Sequence, residues 1–249
     1  MPRPADPRSS PQRPAPSGPL PPLLRELWRV SHAALAEAGA LAFPVPCVGC
    51  GEPPAMLCAR CRVELRPAVC LRVLEPGLHV WSGLPFAGVP ARAIRALKSE
   101  SRTPLARALA PALGEALDTA WHAAVTPGAA GPLLVPIPTS AASWRRRGVR
   151  VVELVMRRAG APRARMLRHA RRVADQRALG RAERGRNVAG SMRCDELSGA
   201  SVLLVDDVVT TGATLVEASR AVVAAGGRVL GAVTVASTPR VFEPTPIRA

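Results

Sequence analysis

Tyrosine is absent from this 249-residue chain, phenylalanine occurs three times, tryptophan four times, and lysine once, at Lys98. So few aromatic side chains leave little with which to stack a run of bases, which weighs against a grip on single-stranded nucleic acid through π-faces. No apolar run approaches the roughly 20 residues of a membrane span. Residues 1–22 lack the uninterrupted apolar core of a signal peptide and are rich in Pro, Arg and Ser, so a disordered tail and a cytoplasmic chain are expected. Acidic residues are scarce, 18 against 34 basic ones, for a net charge of +16. The basic side is almost all arginine and follows the same codon bias as the Ala and Pro excess, so its location says more than its total. Residues 145–193 hold 16 Arg against Glu153, Asp175 and Glu183, a net +13, and an anionic ligand or partner is expected to meet the chain there.

What the chain does contain is concentrated in Ser201–Leu215. Val202 to Val205 form a short apolar, β-branched run suited to a strand buried on both faces of a parallel sheet. Asp206 and Asp207 follow, then Val208-Val209 and the turn Thr210-Thr211-Gly212-Ala213-Thr214, and then an apolar-periodic helix over Leu215–Ala225 closed by Gly226-Gly227. A strand–loop–helix junction aims unpaired N–H groups and the positive end of a helix dipole at one spot, which favours a phosphate dianion. Gly212 allows close approach, the three Thr hydroxyls donate, and the two carboxylates accept from a vicinal diol. Together these features describe a ribose 5-phosphate site. The loop has neither the Gly-Lys-Ser/Thr of a P-loop nor the G-x-G-x-x-G of dinucleotide folds.

A second constellation lies near the N-terminus. Cys47-Val-Gly-Cys50 and Cys58-Ala-Arg-Cys61 are two C-x-x-C knuckles seven residues apart, which read either as a redox or unliganded cysteine cluster or as the closed tetrahedral thiolate set of a structural Zn²⁺ site. Such a site has no open position for chemistry, so its role would be stability or docking. Cys70 and Cys194 have no partner pattern. Leu23 to Leu41 has helical apolar spacing and is expected to pack on this module. The domain expectation is therefore a tail over 1–22, a helix plus zinc ribbon over 23–75, an α/β domain over 80–240 and a tail over 241–249.

Between the ribbon and the acidic strand, Phe86–Lys98 reads as a loop and a helix ending at Lys98, and Pro104 to His122 as a second helix. Leu133-Leu-Val-Pro-Ile-Pro-Thr-Ser140 is an apolar strand stopped by prolines. Pro138, Thr139 and Ser140 at its end either form a loop where the two hydroxyl residues offer N–H and hydroxyl donors to a pyrophosphate, or make a plain strand exit. Val149–Arg158 is an amphipathic helix closed by Gly160, and a short strand is expected around Met166-Leu167. Residues 171–190 are polar, glycine-punctuated and basic, and read either as a cationic loop over a diphosphate or as a solvated arginine-rich surface.

The acidic strand and Thr-Gly turn resemble the signature of type I phosphoribosyltransferases. The order of motifs narrows the resemblance to the ComF family, competence protein F-like homologues of these enzymes. It comprises the paired C-x-x-C ribbon, a helix ending in Leu97-Lys98, Val135-Pro136-Ile137-Pro138, Arg147-Gly148, the Gln176…Arg184…Asn187-Val-Ala-Gly190 segment and the 206–214 loop. Two positions depart from it. The family's Arg-Gly-Phe-Asn-Gln is Arg147-Gly-Val-Arg-Val151 here, and its aromatic after Leu-Lys is Ser99.

The resemblance implies a mostly parallel sheet flanked by helices behind a zinc ribbon, with the site at the strands' carboxyl ends. It implies phosphoribosyl pyrophosphate (PRPP) with Mg²⁺ as ligand. Asp206 and Asp207 would then hold the ribose hydroxyls, Val208 to Thr214 the 5′-phosphate, and Lys98 and Arg184 the charge of the leaving group, with Gln176 and Asn187 in the flexible loop. The acceptor stays open. The alternative implied by the same family is a non-catalytic accessory protein of DNA uptake that contacts single-stranded DNA and docks a helicase motor.

Overall fold

The computed structural model describes residues 45–53, 55–126, 128, 130–170 and 190–239. The tails expected at 1–22 and 241–249, the helix expected at Leu23–Leu41 and the basic segment 171–189 lie outside the described residues. From Pro46 onward the chain forms one compact unit.

The central sheet is built from β1 (Cys70–Leu74), β2 (Leu78–Pro85), β3 (Leu133–Pro136), β6 (Ser201–Val209) and β7 (Arg228–Ser237), in the order β1-β2-β7-β6-β3. Only the β1–β2 pair is antiparallel; β2, β7, β6 and β3 run parallel. β4 (Leu167–His169) and β5 (Met192–Cys194) form a separate antiparallel pair. One face of the sheet packs with α2 (Gly88–Ser99), α3 (Leu105–Ala124) and α5 (Val151–Arg158), together with the cysteine-bearing segment and its short helix α1 (Ala59–Val63). The other face packs with α6 (Ala213–Ala224) and the β4–β5 pair.

Local sequence explains these layers. In β6, Leu203 and Val205 join one core and Val202 and Leu204 the other, as alternation in a doubly covered strand requires. In α3, Leu105, Leu109, Leu113 and Leu117 recur every fourth residue on the buried face, and Pro111 falls on the exposed face. Burying each such leucine contributes on the order of 2 kcal/mol.

Four local features differ from the sequence reading. β6 runs on to Val209, so the two carboxylates lie within a strand rather than after it. The reason is asymmetric pairing. β7 continues beside β6 with Asp206 opposite Thr234 and Val208 opposite Ala236, whereas β3 stops at Pro136 opposite Val205, and after the Ile137 N–H the ladder meets Pro138, which has none to donate. The turn at Arg147-Gly148 closes a helix that the periodicity did not announce, α4 (Ala141–Arg147), with the Ser140 hydroxyl capping its start and Gly148 left-handed at its end. The strand β5 was also not anticipated. β1, inside the 23–75 segment assigned to the ribbon module, is a strand of the main sheet.

Candidate functional site

The carboxyl ends of β3 and β6 leave the sheet side by side. Ile137 N–H donates to the Val205 carbonyl at 2.8 Å, so Pro138, Thr139 and Ser140 emerge next to Asp206 and Asp207. Consecutive strand residues point to opposite faces, which separates the two acids. Asp207 meets α2, where Lys98 Nζ donates to its Oδ1 at 2.7 Å in a half-buried ion pair. Asp206 accepts the Asp207 N–H at 2.8 Å. Burial first, and the neighbouring Asp207 carboxylate second, push Asp206 up to about 8, with that N–H and Lys98 pulling it partly back. Near neutral pH the Asp206 carboxyl is therefore held largely in its protonated form.

The turn that follows is held by β1. Arg72 Nη1 donates to the Thr210 carbonyl at 2.7 Å, and Leu74 packs against Gly212 so closely that a Cβ there would lie 2.3 Å from Leu74 Cδ1. Gly212 has φ +88° and serves as N-cap of α6, so close approach and left-handed backbone are required at the same residue. Val209 is buried and its carbonyl accepts from Thr238 N–H at 3.0 Å, which fixes the exit of the strand. Thr210 and Thr211 are exposed, and Thr211 Oγ1 accepts the Ala213 N–H at 3.4 Å. The N–H groups of Ala213 and Thr214 belong to the first turn of α6, where donors lack intrahelical partners.

On the β3 side, Ser140 Oγ accepts from Ser143 N–H at 3.2 Å, and the Pro138 carbonyl accepts from the His169 ring at 2.9 Å. Two guanidinium N–H groups, Arg72 Nε and Arg147 Nε, are buried without a hydrogen-bond partner among the described residues. Arg72 is the one that reaches the Thr-Gly turn, so an unspent cationic donor lies beside it. Gln176, Arg184 and Asn187 lie outside the described residues. The residues that sequence reasoning missed are Arg72 and Leu74. Nothing in the short run Cys70–Leu74 discloses that an edge strand reaches the turn of a strand three places away.

The four cysteines Cys47, Cys50, Cys58 and Cys61 gather with all sulfur atoms within 4.8 Å of one another. None is in a disulfide. Cys50 and Cys58 sulfurs are 3.8 Å apart, and two vertices of a tetrahedron with metal–sulfur bonds of about 2.3 Å are separated by about that distance. Gly49 passes Cys61 so closely that a Cβ would lie 2.4 Å from its sulfur, so only glycine fits this turn. Cys47 is raised by burial but lowered more by N–H donors, those of Cys58, Cys50 and Gly49, and falls to about 6. Burial and the adjacent thiols push Cys61 up to about 12. A cation among the four sulfurs would favour the thiolate at each, and the gathered all-sulfur donor set fits a metal ion.

Residues 144–243 match the family model of the phosphoribosyl transferase domain. No curated protein matches the chain. Among solved structures, an adenine phosphoribosyltransferase is similar at 15% identity and TM-score 0.34, over 71% of this chain and 89% of that one. Leishmania donovani UMP synthase is similar at 18% identity and TM-score 0.33, over 71% of this chain and 30% of that one. The mixed α/β fold, a mostly parallel sheet flanked by helices, is the fold class of phosphoribosyltransferases. Among the described residues no helix is long and apolar enough to cross a membrane.

Proposed function

We propose that the protein binds PRPP with Mg²⁺ at the carboxyl end of β6 and transfers its phosphoribosyl group to an acceptor. The observation that carries this reading is the junction itself. Two adjacent carboxylates, one ion-paired to Lys98, run into a Thr-Thr-Gly-Ala-Thr turn that opens a helix, inside the stretch that matches the phosphoribosyl transferase domain. In this reading the N–H groups and hydroxyls of Thr210 to Thr214 hold the 5′-phosphate. Asp206 and Asp207 accept from the ribose hydroxyls, and Lys98 orients Asp207. Pro138, Thr139 and Ser140 face the diphosphate, with Arg184 supplying positive charge as it departs. The acceptor forms a bond to ribose C1, the C1–O bond to diphosphate breaks with its electron pair leaving on oxygen, and the acceptor's proton passes to solvent.

Two carboxylates, one already salt-bridged, do not make a complete protein cage for a divalent ion. They suit Mg²⁺ delivered on the diphosphate, where it would neutralise phosphate charge. For the cysteine cluster we assign Zn²⁺ in a structural role, supported by the all-thiolate set and its tetrahedral edge. Native mass spectrometry is expected to find one zinc per chain, lost in Cys50→Ser. The motif order supports a ComF-like protein with its transferase-like domain over 80–240, and the basic stretch is what supports a link to DNA uptake.

Thermal unfolding tests the PRPP reading. A ligand at a hundred times its dissociation constant stabilises the native state by about 2.7 kcal/mol. PRPP with Mg²⁺ is expected to raise Tm in the wild type, ribose 5-phosphate less so, and neither in Asp206→Asn/Asp207→Asn. An equal shift in the variant would place the ligand elsewhere.

A further inference from the structure

A groove of about 400 Å³ runs between α1, beside the cysteine cluster, and α3, remote in sequence from the acidic strand. Its walls are apolar, with Leu65 and Ala108 at the base and Val63, Pro67 and Pro111 along the sides. Val63 is 52% exposed, an unusual placement for a β-branched residue on a short helix. Arg62, Arg66 and Arg107 stand around it, all exposed, and no guanidinium among the three makes a hydrogen bond or ion pair with any described residue. Pro111 has no N–H to offer the Arg107 carbonyl one turn earlier.

Apolar walls with three free cations select an occupant that presents both apolar side chains and carboxylates. We propose that this groove docks an acidic, amphipathic segment of another protein. Its Leu- or Val-type side chains would fill the space over Leu65, Ala108 and Pro111, and its carboxylates would meet Arg62, Arg66 and Arg107. The chain's own ends do not fit that description, since residues 1–44 carry five Arg against Asp6, Glu26 and Glu37, and residues 240–249 carry Arg240 and Arg248 against Glu243. A second copy is repelled by a net charge of +16 per chain. Nucleic acid fits poorly too, because the groove has no aromatic side chain for a base and its cations surround an apolar floor instead of tracking a backbone. Because Arg62 follows Cys61 directly and the Cys58 sulfur caps α1, ordering of the cysteine cluster also orders one wall of the groove.

The test is fluorescence anisotropy of a labelled helical peptide bearing Leu and Glu at i, i+4 spacing, with a Leu/Lys peptide as the opposite-charge control. Two triple variants with the same change of charge are compared, Arg62→Glu/Arg66→Glu/Arg107→Glu in the groove and Arg60→Glu/Arg92→Glu/Arg157→Glu at exposed positions outside it. The groove triple is expected to weaken the acidic peptide by roughly tenfold or more while the outside triple changes it by less than about twofold. A neutral variant, Ala108→Phe, fills the floor and is expected to weaken binding to a similar degree at unchanged charge. Circular dichroism and Tm on each variant separate loss of binding from loss of fold. Equal weakening by both triples would overturn the proposal, as would normal binding to Ala108→Phe. So would a single-stranded oligothymidylate that loses more affinity than the peptide in the groove triple.

Discussion

Gly212→Ala is the perturbation that tests the architecture of the Thr-Gly turn most sharply. With φ +88°, an L-residue at this position incurs a left-handed strain of about 1–2 kcal/mol. The added Cβ would lie 2.3 Å from Leu74 Cδ1 and 2.8 Å from Cδ2, far inside contact distance. Relieving that overlap by displacing a buried leucine costs about 1–3 kcal/mol. The sum is roughly 2–5 kcal/mol, which for a chain of this size corresponds to a fall in Tm of about 5–15 °C. Urea denaturation of four proteins, wild type, Gly212→Ala, Leu74→Ala and the double variant, separates the two terms. In the Leu74→Ala background the methyl has room, so Gly212→Ala should retain only the backbone strain, and the cycle should give a coupling of about 1–3 kcal/mol. An equal cost in both backgrounds would refute the contact between β1 and the turn, and a neutral Gly212→Ala would refute the turn geometry altogether.

Lys98→Met removes the partner of a half-buried carboxylate and is expected to destabilise by about 1–2 kcal/mol in urea, between the values for exposed and buried pairs, with Lys98→Arg recovering part of it. Asp206 is raised to about 8 from an ordinary value of 3.8, so the folded state binds its proton more tightly than the unfolded chain. That contribution is complete below about pH 4 and is lost as pH climbs through 8; Asp206→Asn should flatten the fall in urea midpoint between pH 5 and 8.5. Glu217, on α6, receives Arg220 Nε at 2.8 Å and the Met192 N–H at 3.0 Å. The hydrogen bond from Arg220, against an opposing burial contribution, helps lower Glu217 from 4.5 to about 2, so its stabilisation is present above the ordinary value and disappears as pH falls through 2. Glu217→Gln is expected to cost about 2 kcal/mol at pH 7 and to converge on the wild type near pH 2, read from denaturation midpoints across that range.

The parts of the fold that could be read from sequence are those fixed by local chemistry. Val202 to Val205 announce a buried parallel strand, the Leu105, Leu109, Leu113 periodicity announces α3, and the typed positions from Asp206 to Thr214 announce a turn that opens a helix. The cysteine spacing likewise anticipates sulfurs within 4.8 Å of one another. What escaped depends on pairing between distant segments. β6 extends through its acids only because β7 continues alongside it, and α4 forms because Ser140 and Gly148 cap a stretch too short for its periodicity to register. Arg72 and Leu74 escaped for the same reason, since their contact with the turn spans well over a hundred residues of sequence. Lys98 was singled out as the chain's one lysine, but its ion pair with Asp207 required the packing of α2 on the sheet.

The central claim is that Asp206, Asp207 and the Thr-Gly turn form a PRPP site, and calorimetric titration of PRPP with Mg²⁺ into the intact protein tests it most directly. Asp207→Ala removes the carboxylate that the proposal assigns to a ribose hydroxyl, together with its ion pair to Lys98. Saturable one-site binding in the wild type, weakened by at least about tenfold in Asp207→Ala, is the predicted result, since a charge-assisted hydrogen bond is worth about 1.5–3 kcal/mol. No binding at millimolar PRPP, or equal binding in both proteins, would contradict the account.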